Sequence, residues 1–580
     1  MRSPKLKSKL ITFIICYNED DGSKEKIIED KAIFFFLIFF FLNSSQTLFS
    51  MSSSICRQII SPNSYNLSSK TAISEFYCSN FVNKPASNCL RKEGASYTSR
   101  NLSYIATDKS NQYSRIEGKN SILKNLILDF SKNPKISPVF YLQTHTNGSD
   151  YTAQKRNVYI YGWGIDTSYK FDNISLESNF VNHTFIGVSQ KPNKLSARQG
   201  LAQFINWPYK DTKTVFDSRI ANMKLTYNKP SFGIELGKYN RFWGPGISSL
   251  IISNKPPSYP QLGFHWQINK KMKFLYFTGI LRSLIHDEFM SKYYANQIRS
   301  RYIQVKRSIS AHRLEYSLLP SLHLSITESM VYATRNFEIH YFPFIAFWPM
   351  KNYIGDIDNM QISVDLDWQI NNNLRLYTSV FIDEMDPRGI LTNPLSLTKK
   401  ENENWWGWQF GSNYKNFLLN SDLLRMEYNW LDHRIYRNKI SANDYYHYGF
   451  PLGFWAGPHS EEIYIDYTFN IYDSLIRISY SNVKRGRLTN QMLTDAYNRV
   501  YHDRYENGFE QKKEVTLIFE KQIFFNFYLA IGFEHIDWLN PNFDPYQESS
   551  EKIAHEILKK NSISISLNYR LSKRRVNDRN

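Results

Sequence analysis

The 580-residue sequence predicts an all-β protein, a large transmembrane antiparallel β-barrel of about 18 strands behind an irregular N-terminal segment. Three observations carry that prediction. Apolar and polar residues alternate with a period of two through runs of about nine to eleven residues, the length a tilted strand needs to cross a bilayer. Tight turns and long connections alternate between those runs, as in a barrel with short turns at one rim and long loops at the other. Aromatic residues make up 16 % of the chain, with 40 Tyr, 40 Phe and 12 Trp, while the mean hydropathy of -0.47 is that of a water-soluble protein. A wall with every second residue facing lipid and the others facing a polar interior reconciles the last two figures. A soluble sandwich would also alternate, but its strands run to about five or six residues.

Four segments are expected in chain order: 1–50, 51–150, 151–572 and 573–580. In the first, Ala32 to Leu42 is an apolar run preceded by Lys24, Lys26 and Lys31 and followed by small polar residues through Ser54. It is too short to span a bilayer as a helix and suits the core of a secretory signal, with cleavage between Gln46 and Ser54. The long mixed-charge stretch before it points to a true start downstream of Met1. Loss of this segment removes Cys16 and leaves Cys56, Cys78 and Cys89, of which Cys78 and Cys89 are the expected pair in an oxidising periplasm. Residues 51–150 are rich in Ser and Asn and form an irregular plug or rim, with one short amphipathic candidate, Ile122 to Phe130.

The barrel, 151–572, is clearest in three places. Ile362, Val364, Leu366, Trp368 and Ile370 share one face, with Gln361, Ser363, Asp365, Asp367 and Gln369 on the other. After the turn Asn371 to Asn373 the chain returns through Leu374, Leu376, Thr378, Val380 and Ile382 against Arg375, Tyr377, Ser379, Phe381 and Asp383. Ile463 to Ile471 repeats the pattern, turns at Asp473-Ser474 and returns through Ile476, Ile478 and Tyr480. A third pair runs Val515, Leu517 and Phe519, then Ile523, Phe525, Phe527, Leu529, Ile531 and Phe533. The last strand is Ile563, Ile565, Leu567, Tyr569 and Leu571, ahead of a polar tail.

The chain carries 71 Lys and Arg against 53 Asp and Glu, a formal net charge of +18. No helix-turn-helix, zinc-finger or RNA-binding pattern accompanies it, so nucleic acid is not an expected partner. Acidic polysaccharide and anionic lipid headgroups are the expected ones, with solubility and lumen lining accounting for most of the scattered charge.

One run interrupts the alternation: Gly237 to Asn254, GKYNRFWGPGISSLIISN. Read locally it is a strand, a Gly-Pro turn and a second strand, with Trp243 packing at the barrel rim. Its residues Arg241, Trp243, Gly244, Pro245, Gly246, Ser249, Leu250, Ile252, Ser253 and Asn254, followed by Pro256, Pro257 and Pro260, resemble the central signature of the capsule assembly Wzi family. Glu328, Tyr332, Arg335 and Asn336, the stretch DIDNMQISVDL, Phe381 to Glu384, and Gly449 to Gly453 through Gly457-Pro458 extend the resemblance in the same order along the chain. The resemblance implies an outer-membrane barrel of a Gram-negative bacterium that attaches capsular or exported polysaccharide to the cell surface, lectin-like and without catalysis or cofactor. It further implies outer-membrane lipid and the polysaccharide export machinery as partners. Family members carry a small helical plug near the N-terminus, and residues 51–130 hold no counterpart of it.

Saccharide binding needs flat aromatic faces beside hydrogen-bonding groups. Trp405, Trp406 and Trp408, read as a turn flanked by Glu401 to Asn404, offer them, as do Trp455 and His459 beside Gly457-Pro458; an interfacial aromatic girdle would use the same residues. His323 and Ser325, two apart on a strand, are the one foothold for a lipid-directed hydrolase, and no orienting third group is evident. Asp365, Asp367, Asp383, Glu384 and Asp386 could gather around a hard cation, although lumen lining balanced by Arg375 explains them as well. A porin-like channel or uptake barrel is the alternative to a polysaccharide anchor.

Overall fold

A computed structural model describes residues 135–152, 154–188, 215–295, 302–335, 337–343, 346–384, 404–498, 500, 502–524, 526–541, 543–546 and 556–569. The expected signal segment, the cysteines, residues 51–134 of the expected N-terminal plug or rim, Asn336, Asp386, Glu401 to Glu403, Phe525, Leu571 and the polar tail lie outside the described residues.

The strands are β1 (Lys135–His145), β2 (Val158–Phe171), β3 (Ile174–Ile186), β4 (Val215–Asn228), β5 (Phe232–Tyr239), β6 (Tyr259–Gln267), β7 (Met272–His286), β8 (Gln304–Leu319), β9 (Leu322–Ala333) and β10 (Asn359–Gln369). They continue as β11 (Leu374–Glu384), β12 (Trp405–Lys415), β13 (Leu423–Leu431), the short β14 (Tyr446–His447) and β15 (Phe450–Pro451), then β16 (Ser460–Ile471), β17 (Ser474–Gly486), β18 (Phe509–Phe524), β19 (Phe527–Leu539) and β20 (Ile557–Tyr569). All but β14 and β15 belong to one 18-stranded sheet. Each pairs antiparallel with its neighbour in sequence, β13 pairs with β16, and β1 pairs with β20 from Phe140↔Tyr569 to His145↔Ser564, which closes the barrel.

Every second connection is a tight turn, and both the first residue of β1 and the last of β20 lie at that rim. Between β16 and β17, Tyr472 and Asp473 both have positive φ, 45° and 60°, the mirror-image turn whose twist suits a hairpin. Between β10 and β11 the Asn371 side chain accepts from the backbone N–H groups of Asn373 and Leu374, each at 2.9 Å. The long connections all emerge at the other rim, the mouth.

The predicted faces hold. On β10, Gln361, Ser363, Asp365 and Asp367 are buried on the inner face, while Trp368 is exposed on the outer one. The outer band continues through Phe140, Trp163, Leu236, Leu262, Ile326, Phe410, Ile463, Leu517 and Ile565, all exposed as a lipid-facing wall requires. The inner wall is charged and ion-paired: Asp466 takes Arg425 at 2.8 Å, and Arg485 reaches Glu510 at 2.7 Å.

Three sequence expectations are corrected. The barrel starts inside 51–150 rather than at 151, because β1 from Lys135 is held by β2 on one side and β20 on the other; Pro138 and a short mixed pattern hide a strand fixed by closure. The third hairpin turns after Phe524, not after Phe519, so Ile523 belongs to β18, where it continues the outward parity of Val515, Leu517 and Phe519. The β16–β17 turn sits one residue earlier than expected, at Tyr472-Asp473.

Candidate functional site

The run from Asn240 to Ser258 is neither hairpin nor rim. β5 ends at Tyr239, β6 begins at Tyr259, and only Trp243 and Ile252 form a bridge between them. At its base Arg241 is buried: its Nε donates to Gln261 at 2.7 Å, one terminal nitrogen donates to Glu235 at 3.0 Å and to Tyr239 Oη at 2.6 Å, and its guanidinium lies 4.6 Å from the centre of the Phe277 ring. Trp243 is fully buried edge-on against Phe277 at 5.1 Å. An indole of that size leaves the rim for the interior because apolar burial is favourable at about 25 cal/mol per Å².

From there the chain crosses the interior to the inner faces of β11, β12 and β13. The Glu427 carboxylate accepts from the N–H groups of Ile247 at 2.6 Å and Ser248 at 3.0 Å, from Tyr377 Oη at 2.7 Å and from Asn429 at 3.0 Å. Gln409 donates to the Ser248 carbonyl at 2.9 Å, and Arg375 donates to the Pro245 carbonyl at 2.7 Å while its Nε holds Asp367 at 2.7 Å. Gly246 is required by this approach, since a Cβ there would run into Glu427 and Gln409. The return leg is equally tied: Tyr445 Oη donates to the Ile251 carbonyl at 2.9 Å, Tyr436 Oη donates to that of Leu250, and Ser253 N donates to Leu452 O at 2.7 Å. Gly244 and Ser249 form the bend, where the Ser249 hydroxyl bonds the Trp243 carbonyl, and the Asn254 carbonyl accepts from Asn240 at 3.0 Å. The signature residues thus build a loop latched across the lumen.

The connection between β13 and β16, residues 432–459, packs against that loop. Leu250, Ile251, Ile252, Tyr436, Tyr445, Leu452, Phe454 and Trp455 form one apolar core with Trp243 and Phe277. Burial pushes His433 down to about 4 and His447 to about 3, the latter accepting from Arg282 N at 3.0 Å, and lifts the Asp444 carboxyl to about 6.

The residues expected to stack on sugar are redistributed. Trp405, Trp406 and Trp408 lie on strand β12, not on a turn, so alternation divides them. Trp405 points inward, buried edge-on against Tyr497 at 5.1 Å. Trp406, Trp408 and Phe410 form an outward ladder with ring separations of 5.8 and 6.3 Å, at the mouth end of the wall where an aromatic girdle lies. Trp455 is 3 % exposed and donates to Glu462 at 2.8 Å; His459 is 1 % exposed, its Nδ1 2.6 Å from the Arg487 carbonyl, its Nε2 accepting from Tyr505 N at 3.1 Å. With the ring of His459 stacked on Tyr505 at 4.9 Å, neither residue has a free face for a sugar.

His323 bonds Ser317 at 2.9 Å, and Ser325, buried, has no hydrogen-bond partner, so the hydrolase pair is not assembled. Three of the carboxylates expected around a cation are taken by protein groups: Asp365 by Arg313 and by Ser379 at 2.6 Å, Asp367 by Arg375, Asp383 by Tyr436 N and Gln361. Among the described residues no group of three such side chains could hold a metal.

Exposed rings do stand at the mouth, on residues the alternation gave no reason to select. Phe289, Tyr293, Tyr294 and Tyr302 are exposed on the β7–β8 connection, which holds helix α1 (Glu288–Tyr293), and His286 stacks on Tyr302 at 4.4 Å. A shallow cleft nearby is lined by Tyr446, Phe450, Pro458, Arg485 and the half-exposed Tyr546. The cluster of Tyr in YYAN, 293–296, was the available sequence signal.

No family model matches the chain, and no curated protein matches it by sequence. Among solved structures it is similar to Wzi of Escherichia coli, described as an outer-membrane protein involved in group 1 capsule assembly and a carbohydrate-binding β-barrel, at 10% identity and a TM-score of 0.45 over 86% of this chain and 91% of that one. It is also similar to OccAB2 of Acinetobacter baumannii, at 9% identity and a TM-score of 0.41 over 75% and 97%, and to OprD of Pseudomonas aeruginosa, at 9% and 0.37 over 76% and 95%. At that distance no role follows from any of them.

Proposed function

We propose that this chain is a non-catalytic barrel of the Gram-negative outer membrane that holds capsular or exported polysaccharide at the cell surface. The observation that carries the reading is the latch at 245–248. A barrel whose interior is crossed by a segment tied to three strands of the facing wall is suited to presenting its mouth rather than to passing solutes. The exposed rings of Tyr293 and Tyr294 and the face of Tyr302 turned away from His286 supply flat surfaces there, and many weak stacking contacts along a repeating polymer add by multivalency. On the same reading the polysaccharide export machinery is a proposed partner.

The test compares cell-attached with shed polysaccharide in cells with and without the gene; equal retention sinks the proposal. A porin-like channel is the second reading, favoured by the charged inner wall around Asp466, Arg477 and Glu510. A steady open conductance from the unmutated protein in a planar bilayer would decide for the channel.

A further inference from the structure

The connection between β9 and β10, residues 334–358, leaves the mouth outward and folds down over the outside of the barrel. The wall beneath it breaks the apolar band. Ser308, Ser310 and His312 of β8 alternate with the inward Arg307, Ile309, Ala311 and Arg313, and so share the outer face with Glu328 of β9, which lies 2.9 Å from His312 Nε2. His312 stands about seven residues above the tight-turn rim, which at ~3.3 Å per residue and ~40° of tilt is about 18 Å, within an apolar band about 25 Å tall. A carboxylate and an imidazole facing lipid at that height are unfavourable.

The connection covers them. Glu328 accepts from Phe347 N at 2.9 Å, at the start of helix α2 (Phe347–Tyr353), and Ser308 donates to the Arg335 carbonyl at 2.8 Å. Tyr341 and Phe347 are fully buried against Met330, Tyr332, Phe274 and Tyr276, and Phe347 lies 4.3 Å from the His312 ring. Tyr341 Oη donates to Asp358 at 2.6 Å, which fixes the far end. Most of the side turned away from the barrel is apolar: Ile339 is 67 % exposed and Tyr353 78 %, with Phe337 and Phe342 also open, while beyond Tyr353 the exposed Asp356 pairs with Lys351 at 3.0 Å and the Ile357 carbonyl is held at the mouth by Asn443 at 2.7 Å.

We propose that residues 337–343 and 346–353 are a strap seated in the outer leaflet, replacing lipid over the polar strip and offering its own apolar side to the acyl chains. The partner is a lipid surface, because the strap covers the wall at the level of His312 and Glu328 and its open apolar side continues the band formed below it by Ile326 and Leu262. The proposal rests on the membrane reading above, and the experiment separates the two. In a full-length protein with its native cysteines replaced by Ser, Ile339→Cys and Tyr353→Cys are labelled with a fluorophore and reconstituted in vesicles containing brominated-acyl phosphatidylcholine. Ile326→Cys is the wall control and Tyr472→Cys, at a tight turn, the aqueous control. The expected result is loss of fluorescence at both strap sites comparable to that at Ile326→Cys and well beyond that at Tyr472→Cys. Quenching at Ile326→Cys with strap sites that respond only to aqueous iodide overturns the strap and leaves the membrane reading standing. Strap sites shielded from both quenchers overturn it in favour of a protein partner. Absence of lipid quenching at Ile326→Cys removes the membrane reading and the strap with it.

Discussion

Two connections at the mouth, 240–258 and 334–358, start from similar strands and go opposite ways. The first turns into the lumen, where Glu427, Arg375 and Gln409 present acceptors and donors that match its backbone; the second turns out, where His312, Glu328 and Ser308 do the same on the wrong side of the wall. Both bury large rings, Trp243 inside and Tyr341 and Phe347 outside, so hydrophobicity does not separate them. The difference teaches that a loop's destination is set by the wall that holds unmet polar groups, since a buried or lipid-facing polar group without partners is what the structure must avoid.

The largest expected effect comes from breaking the inward loop. Glu427→Ala strands the N–H groups of Ile247 and Ser248, and Arg375→Ala leaves Asp367 buried without its cation, at a cost of about 3 to 5 kcal/mol. Released from the wall, the loop should raise planar-bilayer conductance above that of the unmutated protein; unchanged conductance together with unchanged protease resistance would show that the latch holds nothing.

Changes to the wall beneath sharpen the contrast between its faces. Leu366→Lys, on the outer face of β10, should destabilise by about 2 to 4 kcal/mol if it lies at the bilayer midplane, whereas Ser363→Lys, three residues away and facing the lumen, should lose less. Heat-modifiable migration on gels reports folding of both variants. Equal loss would reject the face assignment.

Acid should loosen the inward side next. His433 and His447 are held neutral by burial, with folded values of about 4 and about 3 against 6.5 for the free side chain. The stability they contribute is therefore whole above about pH 6.5 and is lost as pH falls, roughly 2 to 3 kcal/mol for one such histidine by pH 4.5. Asp444 opposes them: with its carboxyl raised to about 6, its neutral form stabilises the loop at low pH and that contribution fades as pH rises through 6. Two histidines against one carboxylate leave a net loss on acidification. Limited proteolysis of 432–459 should quicken from pH 7 to pH 4.5, and Asp444→Asn should steepen the change; a flat profile in both proteins contradicts the assignment.

The smallest effect per residue belongs to the open rings. Replacing Tyr293, Tyr294 and Tyr302 by Ala removes about 0.5 to 1.5 kcal/mol of stacking each. Compounded along a polymer, that should shed polysaccharide into the medium while the barrel still inserts. The same triple change made at Trp405, Trp406 and Trp408 should impair folding instead, because one of those rings is core and two are wall. Normal retention by well-folded Tyr variants would remove the β7–β8 connection from the binding hypothesis.

Strand faces, the turn at Asn371 to Asn373 and the strand number of this protein follow from its sequence alone, because period-two alternation and turn chemistry are local and each residue's neighbours in the chain decide them. β1 is the instructive exception: Pro138 blurs its alternation, and pairing with β2 along its whole length and with β20, more than four hundred residues away in the chain, makes it a strand. The Gly-Pro-Gly run was visible as a break in the wall, and its latch was not, since Ile247 and Glu427 lie 180 residues apart and nothing local ties one to the other. Likewise residue type marks a ring as able to stack on sugar, whereas a free ring face is a property of what packs upon it. Tertiary structure alone closed the rings of Trp455 and His459, divided the three tryptophans of β12 between core and lipid, and sent one loop inward and its counterpart out, because burial and hydrogen-bond partners are settled by segments that meet only once the barrel has closed.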